Sequence, residues 1–424
     1  MHYSNGKNLP LLKNVPIEKL VFGGQGMGHL DGKVYFVWNA LPGETVTVQV
    51  TRQKKSFCEG YATDIISPAP NRITLQEEHA LSCSPWQIMT PIAEKLWKIQ
   101  LAKDAYYKFL SEIDLVEDPA QYYGYRNKIE YSFTHTATGE LTFAFFKRWS
   151  HWRLPIHTCQ LASAAINQKA EQVLAWLKTL PVTDHNLKSL IILSNERGET
   201  IAGLFVRDEG LPLANELGVV VYYSNPRSPA AVPTKLLHPG ETIITTHVLG
   251  VPLQHDLLGF FQVNVPIFEQ ALTTISQYVN DGSEVIDCYG GVGAIALPLH
   301  RKIKTGVIID SNQSAIISAQ NTIQQLDIKN FSAQCVPTEN ILDIFNQNQT
   351  VILDPPRAGL HDDVTARLLE VKPKRIIYLS CNLSTQARDV ERLLTGYKII
   401  DAKLFNFFPR TPHIEGLIVL DKIM

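Results

Sequence analysis

Two side chains suited to covalent and proton-transfer chemistry stand near the end of this 424-residue chain. Cys381 closes the run Tyr378-Leu379-Ser380-Cys381-Asn382, and Glu415 follows 34 residues later (415 − 381) in Phe408-Pro409-Arg410-Thr411-Pro412-His413-Ile414-Glu415-Gly416. A thiolate is a good carbon nucleophile and a carboxylate a usable base, so the pair suits a reaction that adds to its substrate and later removes a proton. Taken singly, a lone cysteine is more often a small buried hydrophobe, and an acid before a final apolar strand is often plain surface. A third acid, Asp354, ends an apolar stretch and heads Asp354-Pro355-Pro356-Arg357-Ala358-Gly359. Cysteine titrates near ~8.5, so a thiolate at neutral pH needs help from its surroundings; the Asn382-Leu383-Ser384-Thr385 turn and helix put Cys381 near a helix N-terminus.

An α/β alternation positions these groups. From residue 256 onward the pattern reads strand (Glu284 to Asp287), Gly-rich turn, helix from Ala294, strand (Lys304 to Asp310), helix, strand (Val351 to Leu353), and a later strand, Arg375 to Leu379, ending at the cysteine. That order predicts a parallel sheet with ligands at the carboxyl ends of its strands. In Asp287-Cys288-Tyr289-Gly290-Gly291-Val292-Gly293 the glycines let backbone approach a ligand closely, and Asp310 places a carboxylate at the next strand end, where ribose hydroxyls would lie. A nicotinamide cofactor fits this geometry as well, although Asp-x-Tyr-x-Gly-x-Gly departs from Gly-x-Gly-x-x-Gly.

The amino-terminal part reads differently. Apolar residues alternate in Lys33 to Trp38 and Glu44 to Val50, with Leu41-Pro42-Gly43 turning the chain between them, which predicts a small β-barrel. Gly23-Gly24-Gln25-Gly26-Met27-Gly28 is no phosphate loop on this reading, because no helix comes after it. Arg52, Lys54, Lys55 and Phe57 are candidates to bind a single strand on the barrel, and a second patch, Phe146-Lys147-Arg148-Trp149-Ser150-His151-Trp152-Arg153, interleaves cations with aromatics. Apolar spacing through Ile92, Leu96, Ile99, Ala102, Tyr106 and Leu110 predicts a helix over about 91–113, with its aromatics in the core. Ser224 to Pro233 reads as a loop.

A net charge of −2 and pI near 6.7 exclude a protein that coats nucleic acid nonspecifically, but not a local basic face. No apolar run approaches the ~20 residues needed to span a bilayer, and the opening Met-His-Tyr-Ser-Asn-Gly-Lys lacks a signal-peptide core, so a cytoplasmic protein is expected. Six cysteines with no CxxC pair imply reduced thiols.

Together the segments around Asp287, Asp354, Cys381 and Glu415 resemble the uracil-5 RNA methyltransferases that use S-adenosylmethionine. The stretch from Ile17 through the Gly23 to Gly28 run to Pro70-Asn71-Arg72 is similar to a TRAM domain, an OB-like barrel that binds RNA. The resemblance implies an α/β chain of three parts: barrel (1–72), mixed α+β central RNA-binding domain (73–255, its 91–113 helix docking on the last part) and Rossmann-like methyltransferase domain (256–424). It also implies that Cys381 is the nucleophile and Glu415 the proton acceptor. Asp354 would hydrogen-bond the uracil edge and border the cofactor. Gln262, in Phe260-Phe261-Gln262-Val263-Asn264, would contact the cofactor together with Asp287, Tyr289, Gly290, Gly293 and Asp310, and Arg126 would reach the RNA substrate. The family usually has its ribose acid directly after a Gly-Val pair; here two isoleucines intervene before Asp310. Large-subunit (23S) ribosomal RNA is the implied substrate, with transfer RNA or a non-catalytic RNA-binding role as alternatives and a monomer as the expected state. Many members hold an iron-sulfur cluster with four cysteines, but here Glu77 and Trp86 stand at two of those positions beside Cys83 and Cys159, so no cluster is expected.

Overall fold

The computed structural model describes residues 9–148, 150–211, 217–228 and 230–423. The opening heptapeptide, Trp149 of the second basic patch and Pro229 of the Ser224 to Pro233 loop lie outside the described residues. The chain forms two compact units: unit 1 is Met1–Asp104, Phe145–Leu154 and Phe408–His413, and unit 2 is Ala105–Ala144, Pro155–Phe407 and Ile414–Met424.

Unit 1 is built on six strands, β1 (Leu11–Pro16), β2 (Lys19–Leu20), β3 (Gly26–Leu30), β4 (Lys33–Trp38), β5 (Thr45–Gln53) and β6 (Phe57–Ser67), ordered β1-β5-β6-β4-β3-β2. Alternation sends Val46, Val48 and Val50 of β5 inward with Tyr35, Val37, Cys58 and Ala62, and three register shifts between β5 and β6 bend the sheet around that core. Gly28 is required by packing: a Cβ there would collide with the Pro16 carbonyl.

Beyond the barrel lie α1 (Ala80–Cys83) and α2 (Pro91–Tyr106). The predicted 91–113 helix thus stops at Tyr106, because the chain turns there and continues into strand β7 (Asp114–Val116). The predicted apolar stripe is also displaced, for Ile92 and Leu96 are exposed. The buried face instead carries Ala93, Leu101 and Ala102 together with the ion pair Glu94–Lys98 (2.9 Å), to which Arg410 adds a 3.0 Å bond on Glu94. Polar residues this deep are tolerated because each charge meets a partner. Trp86 is buried beside them, its indole N–H donating to the Gly24 carbonyl at 3.1 Å.

In unit 2, β8 (Lys128–His135), β9 (Leu141–Phe146), β10 (Arg153–Ile156), β11 (Leu187–Ser194), β12 (Thr200–Val206), β13 (Val220–Tyr223) and β14 (Lys235–His238) form a sheet ordered β10-β9-β8-β11-β12-β13-β14. Helix α3 (Ala164–Lys178) buries Ile166, Ala170, Val173 and Leu177, and β15 (Ile243–Val248) pairs with β16 (Val251–Asp256) as a hairpin.

The larger sheet contains β17 (Ser283–Cys288), β18 (Ile303–Asp310), β19 (Phe331–Cys335), β20 (Thr350–Leu353), β21 (Arg375–Ser380), β22 (Tyr397–Phe405) and β23 (Glu415–Lys422), ordered β19-β18-β17-β20-β21-β23-β22-β7. Pairing is parallel from β19 to β21, whereas β23 runs antiparallel to β21 and β22. Helices α4 (Val265–Ser276), α5 (Gln313–Gln325), α6 (Asp362–Val371) and α7 (Leu383–Leu393) accompany these strands. Val351-Ile352-Leu353 and Ile376 to Leu379 are wholly buried, as central parallel strands require.

Cys58, Cys159 and Cys288 are buried, Cys83 and Cys381 half-buried and Cys335 exposed. Among the described residues, no helix is long and apolar enough to cross a membrane.

Candidate active site

The carboxyl ends of β17, β18, β20 and β21 lie along one edge of the sheet, and reversal of β23 brings its first residue to that same edge. After β17 the chain reverses sharply, with positive φ at Tyr289 (60°), Gly291 (55°) and Gly293 (78°). A Cβ on Gly290 would stand 2.9 Å from Ile308 Cγ2, and one on Gly293 2.7 Å from Leu297 Cδ1, so close packing demands glycine at both. Asp310 fixes the turn, one oxygen accepting from the Gly291 N–H (2.9 Å) and the other from the Asn312 N–H (2.7 Å). The expected helix from Ala294 does not form; the chain continues as a run of turns and a 3₁₀ segment, Leu297–Lys302, with Pro298 in its first turn. Proline has no amide proton to support a longer α-helix there.

Asp287 is fully buried at the end of β17. Its Oδ2 accepts from the Ala296 N–H at 3.1 Å, while Oδ1 has no hydrogen-bond partner among the described residues. Burial, reinforced by the charges of Asp354 and Asp310, pushes its carboxyl up to about 7. A buried acceptor left open beside a tight glycine turn fits a ligand that brings its own donor, as an adenosine cofactor with an amino-acid tail would. Gln262 is buried, and its backbone carbonyl accepts from Asn127 Nδ2 at 2.9 Å. That bond joins the Gln262 segment to the one carrying Arg126, whose own backbone is fixed to Leu161 and Ser163.

At the other end of the edge, the β21–β23 register pairs Ser380 with Gly416. Cys381 and Glu415 each lie one residue beyond that pair, near enough for the Glu415 charge to act on the thiol. Cys381 is half-buried just before α7, whose cap is Asn382 accepting from the Ser384 N–H; Glu415 is buried. The helix N-terminus expected for Cys381 is there, yet the thiol is not activated. Burial, then the charges of Glu415 and Asp354, push it up to about 11 against the opposing pull of Arg357. Burial and Asp354 likewise hold the Glu415 carboxyl well above the usual carboxylate range, again opposed by Arg357, and burial takes Asp354 up to about 7. Arg357 is thus the cation that acts on both Cys381 and Glu415. Its carbonyl is held by Asn382 Nδ2 (2.8 Å) and Thr385 Oγ1 (3.2 Å) from the start of α7.

Sequence reasoning missed two residues behind this corner. Gln386 of α7 is buried, and its Nε2 donates to the carbonyls of Tyr378 and Gly416, both at 2.9 Å. Its Oε1 accepts from the hydroxyl of buried Tyr106. One amide therefore ties the strand leading to Cys381 to the residue after Glu415. The available signal was a glutamine on a helix face that it shares with Asp389 and that is otherwise lined by Leu383, Val390 and Leu393.

The remaining predicted residues lie elsewhere. Arg52, Lys54, Lys55 and Phe57 belong to unit 1, where Arg52 pairs with Glu59 at 3.1 Å and Phe57 packs edge-on against Phe36. His413, also in unit 1, rests its ring against Phe408.

Residues 257–423 match the tRNA (uracil-5-)-methyltransferase family, and residues 13–63 match the TRAM domain. An uncharacterized RNA methyltransferase of Enterococcus faecalis is 27% identical over 458 residues, covering 98% of this chain and 99% of that protein. The 23S rRNA (uracil(1939)-C(5))-methyltransferase RlmD of Marinomonas posidonica is 26% identical over 438 residues, covering 98% and 97%. Among solved structures, the tRNA (uracil-54, C5)-methyltransferase of Pyrococcus abyssi in complex with S-adenosyl-L-homocysteine shares the fold, with a TM-score of 0.78 at 23% identity over 96% of this chain and 100% of that one. The matched residues carry the glycine turn, Cys381 and Glu415, so that the chain has a domain of the tRNA (uracil-5-)-methyltransferase family at its carboxyl-terminal end and a TRAM domain at its amino-terminal end.

Proposed function

We propose that this protein methylates carbon 5 of a specific uridine in large-subunit ribosomal RNA, with Cys381 as nucleophile and Glu415 as base. The observation that supports the reading is the pairing of Ser380 with Gly416, beside which Cys381 and Glu415 each lie one residue further along, at the sheet edge that also holds the glycine turn. Similarity to the Marinomonas ribosomal RNA enzyme along 98% of the chain supports the substrate. The Pyrococcus structure keeps transfer RNA as the second reading.

Carbon 5 of uracil is a weak nucleophile. Addition of Cys381 Sγ to carbon 6, its thiol proton having passed to solvent, shifts the C5=C6 electrons toward carbon 5 and the neighbouring carbonyl and makes carbon 5 reactive. S-adenosylmethionine, held by Gln262, Asp287, the 289–293 turn and Asp310, supplies an electrophilic methyl on its sulfonium sulfur. Once carbon 5 carries both methyl and hydrogen, the Glu415 carboxylate accepts that proton, the double bond re-forms and Sγ departs as thiolate. The raised affinity of Glu415 for protons makes it an effective acceptor once ionised. Asp354 holds the uracil edge, and Arg126 grips the RNA. Extruding the base costs a few kcal/mol of stacking, which contacts by unit 1 to flanking nucleotides would offset.

No iron-sulfur cluster takes part in this reading, because Trp86 offers no ligand atom and its indole is already engaged by Gly24. Mapping 5-methyluridine in total RNA from cells with and without the protein tests the function. Loss of one ribosomal site is the expected result, and an unchanged map refutes it.

A further inference from the structure

Unit 1 contains a cleft of about 490 Å³ on the outer face of the barrel. Its floor is formed by Gln49 and Thr51 of β5 and Tyr61 of β6, residues that point away from the core because Val48, Val50 and Ala62 point into it. Its wall is formed by Lys147 and Trp152, which lie in the loop between β9 and β10, and by Arg153 at the start of β10.

That loop is held in place. Arg148 stacks its guanidinium 4.0 Å from the Trp38 ring centre and donates to the Leu81 carbonyl at 2.7 Å, while the Lys147 N–H closes the loop on the Trp152 carbonyl, also at 2.7 Å. The second basic patch therefore divides in function. Arg148 is an anchor, whereas Lys147, lying 5.7 Å over the Tyr61 ring, and Arg153, 6.0 Å over the Phe146 ring, line the cleft itself. Trp152 is 78% exposed, an unusual position for so large an apolar ring, and among the described residues no carboxylate lines the cleft.

Resting on the RNA substrate proposed above, we infer that this cleft binds one unpaired nucleotide of that RNA, its base stacked on Trp152 and its phosphates against Lys147 and Arg153. Exposed aromatics supply a face that any base can cover, and flanking cations track the backbone. The charge argues for a polyanion and the ring for one with bases, which together favour a single RNA strand over an acidic peptide.

Binding of the full chain to a fluorescein-labelled single-stranded oligouridylate, followed by anisotropy, tests this. Trp152→Ala should weaken binding about tenfold, and Trp152→Phe, which keeps a stacking face, should recover most of it. Lys147→Ser with Arg153→Ser should lower the slope of log affinity against log salt by roughly 1.4, the value for two phosphate contacts on a single strand. Wild-type affinity in Trp152→Ala, an unchanged salt slope in the double variant, or equal competition by polyglutamate and by unlabelled RNA would each overturn the inference. The readout is independent of turnover. RNA methylation with no effect of Trp152→Ala would remove the cleft alone, and weakened binding in a protein that methylates no RNA would remove the proposed function alone.

Discussion

The three acids at the carboxyl edge of the sheet lead to a proton-linkage prediction. Asp287 and Asp354 each titrate at about 7, so near neutral pH the two together retain about one proton. A bound sulfonium cation favours their ionised forms and must expel that proton. Binding that releases protons is disfavoured where protons are abundant, so S-adenosylmethionine affinity should be low near pH 5, rise through about 7, and level off above about 8, where both acids are already ionised in the free protein. Each pKa depressed by one unit corresponds to about 1.4 kcal/mol, or tenfold in affinity across that window. S-adenosylhomocysteine has a neutral sulfur and should show a smaller rise. Asp287→Asn, which removes one of the two titrating groups while keeping an oxygen for the Ala296 N–H, should reduce the pH dependence toward the contribution of Asp354. Titration calorimetry in two buffers of different ionisation enthalpy counts the protons directly. Equal pH dependence for the two ligands, with no proton release on binding S-adenosylmethionine at neutral pH, would rule out this linkage.

Substitutions in the proposed chemistry should fail at different steps. Cys381→Ala should give neither product nor adduct, whereas Glu415→Gln should transfer the methyl and stall, leaving protein linked to methylated RNA on a denaturing gel; methylation by Cys381→Ala would contradict the assigned roles. Gln386→Leu should cut kcat by about tenfold or more with little change in S-adenosylmethionine affinity, because it frees two strand-end carbonyls behind Cys381 and Glu415. Gln386→Glu, which retains an acceptor for the Tyr106 hydroxyl, should lose as much if the two amide donations are what matter, and wild-type kcat in both variants would show that the clamp does not position the site. Anaerobically purified protein should be colourless with negligible iron, and stoichiometric iron with acid-labile sulfide, lost in Cys83→Ser, would show that other residues complete a cluster.

Much of unit 2 was legible because its signals are local. A buried strand, a glycine turn and an acid at the next strand end are contiguous in sequence, and Asp287, Gly290, Gly293 and Asp310 fall where such a pattern places them. The arrival of Cys381 and Glu415 at one edge of the sheet was less accessible, since it depends on β23 reversing direction, a property of pairing rather than of either segment. Gln386 and Tyr106 were invisible for a related reason: a glutamine on a helix and a tyrosine near a helix end look like surface and core until the strands they tie together are known. Ile92 and Leu96 misled because the buried face of α2 includes Glu94 and Lys98, whose partner Arg410 lies more than three hundred residues away in sequence. Likewise, nothing in the second basic patch distinguishes Arg148 from Lys147 until Trp38 is found beneath the former.

The high thiol pKa of Cys381 bears on how this protein survives between turnovers. Peroxides and alkylating agents attack thiolates, and a thiol held up at about 11 exposes only about one thiolate in ten thousand at neutral pH. Burial, with the charges of Glu415 and Asp354 added to it, keeps the Cys381 thiol protonated and so should also shield it from irreversible oxidation. Damage should fall first on exposed Cys335, which lies at the far edge strand of the sheet and has no part in the proposed chemistry. If Cys381 is the nucleophile proposed above, its reactivity would be confined to moments when a substrate changes the electrostatics of the site, so that chemical selectivity and oxidative durability would share one origin in burial and the neighbouring carboxylates.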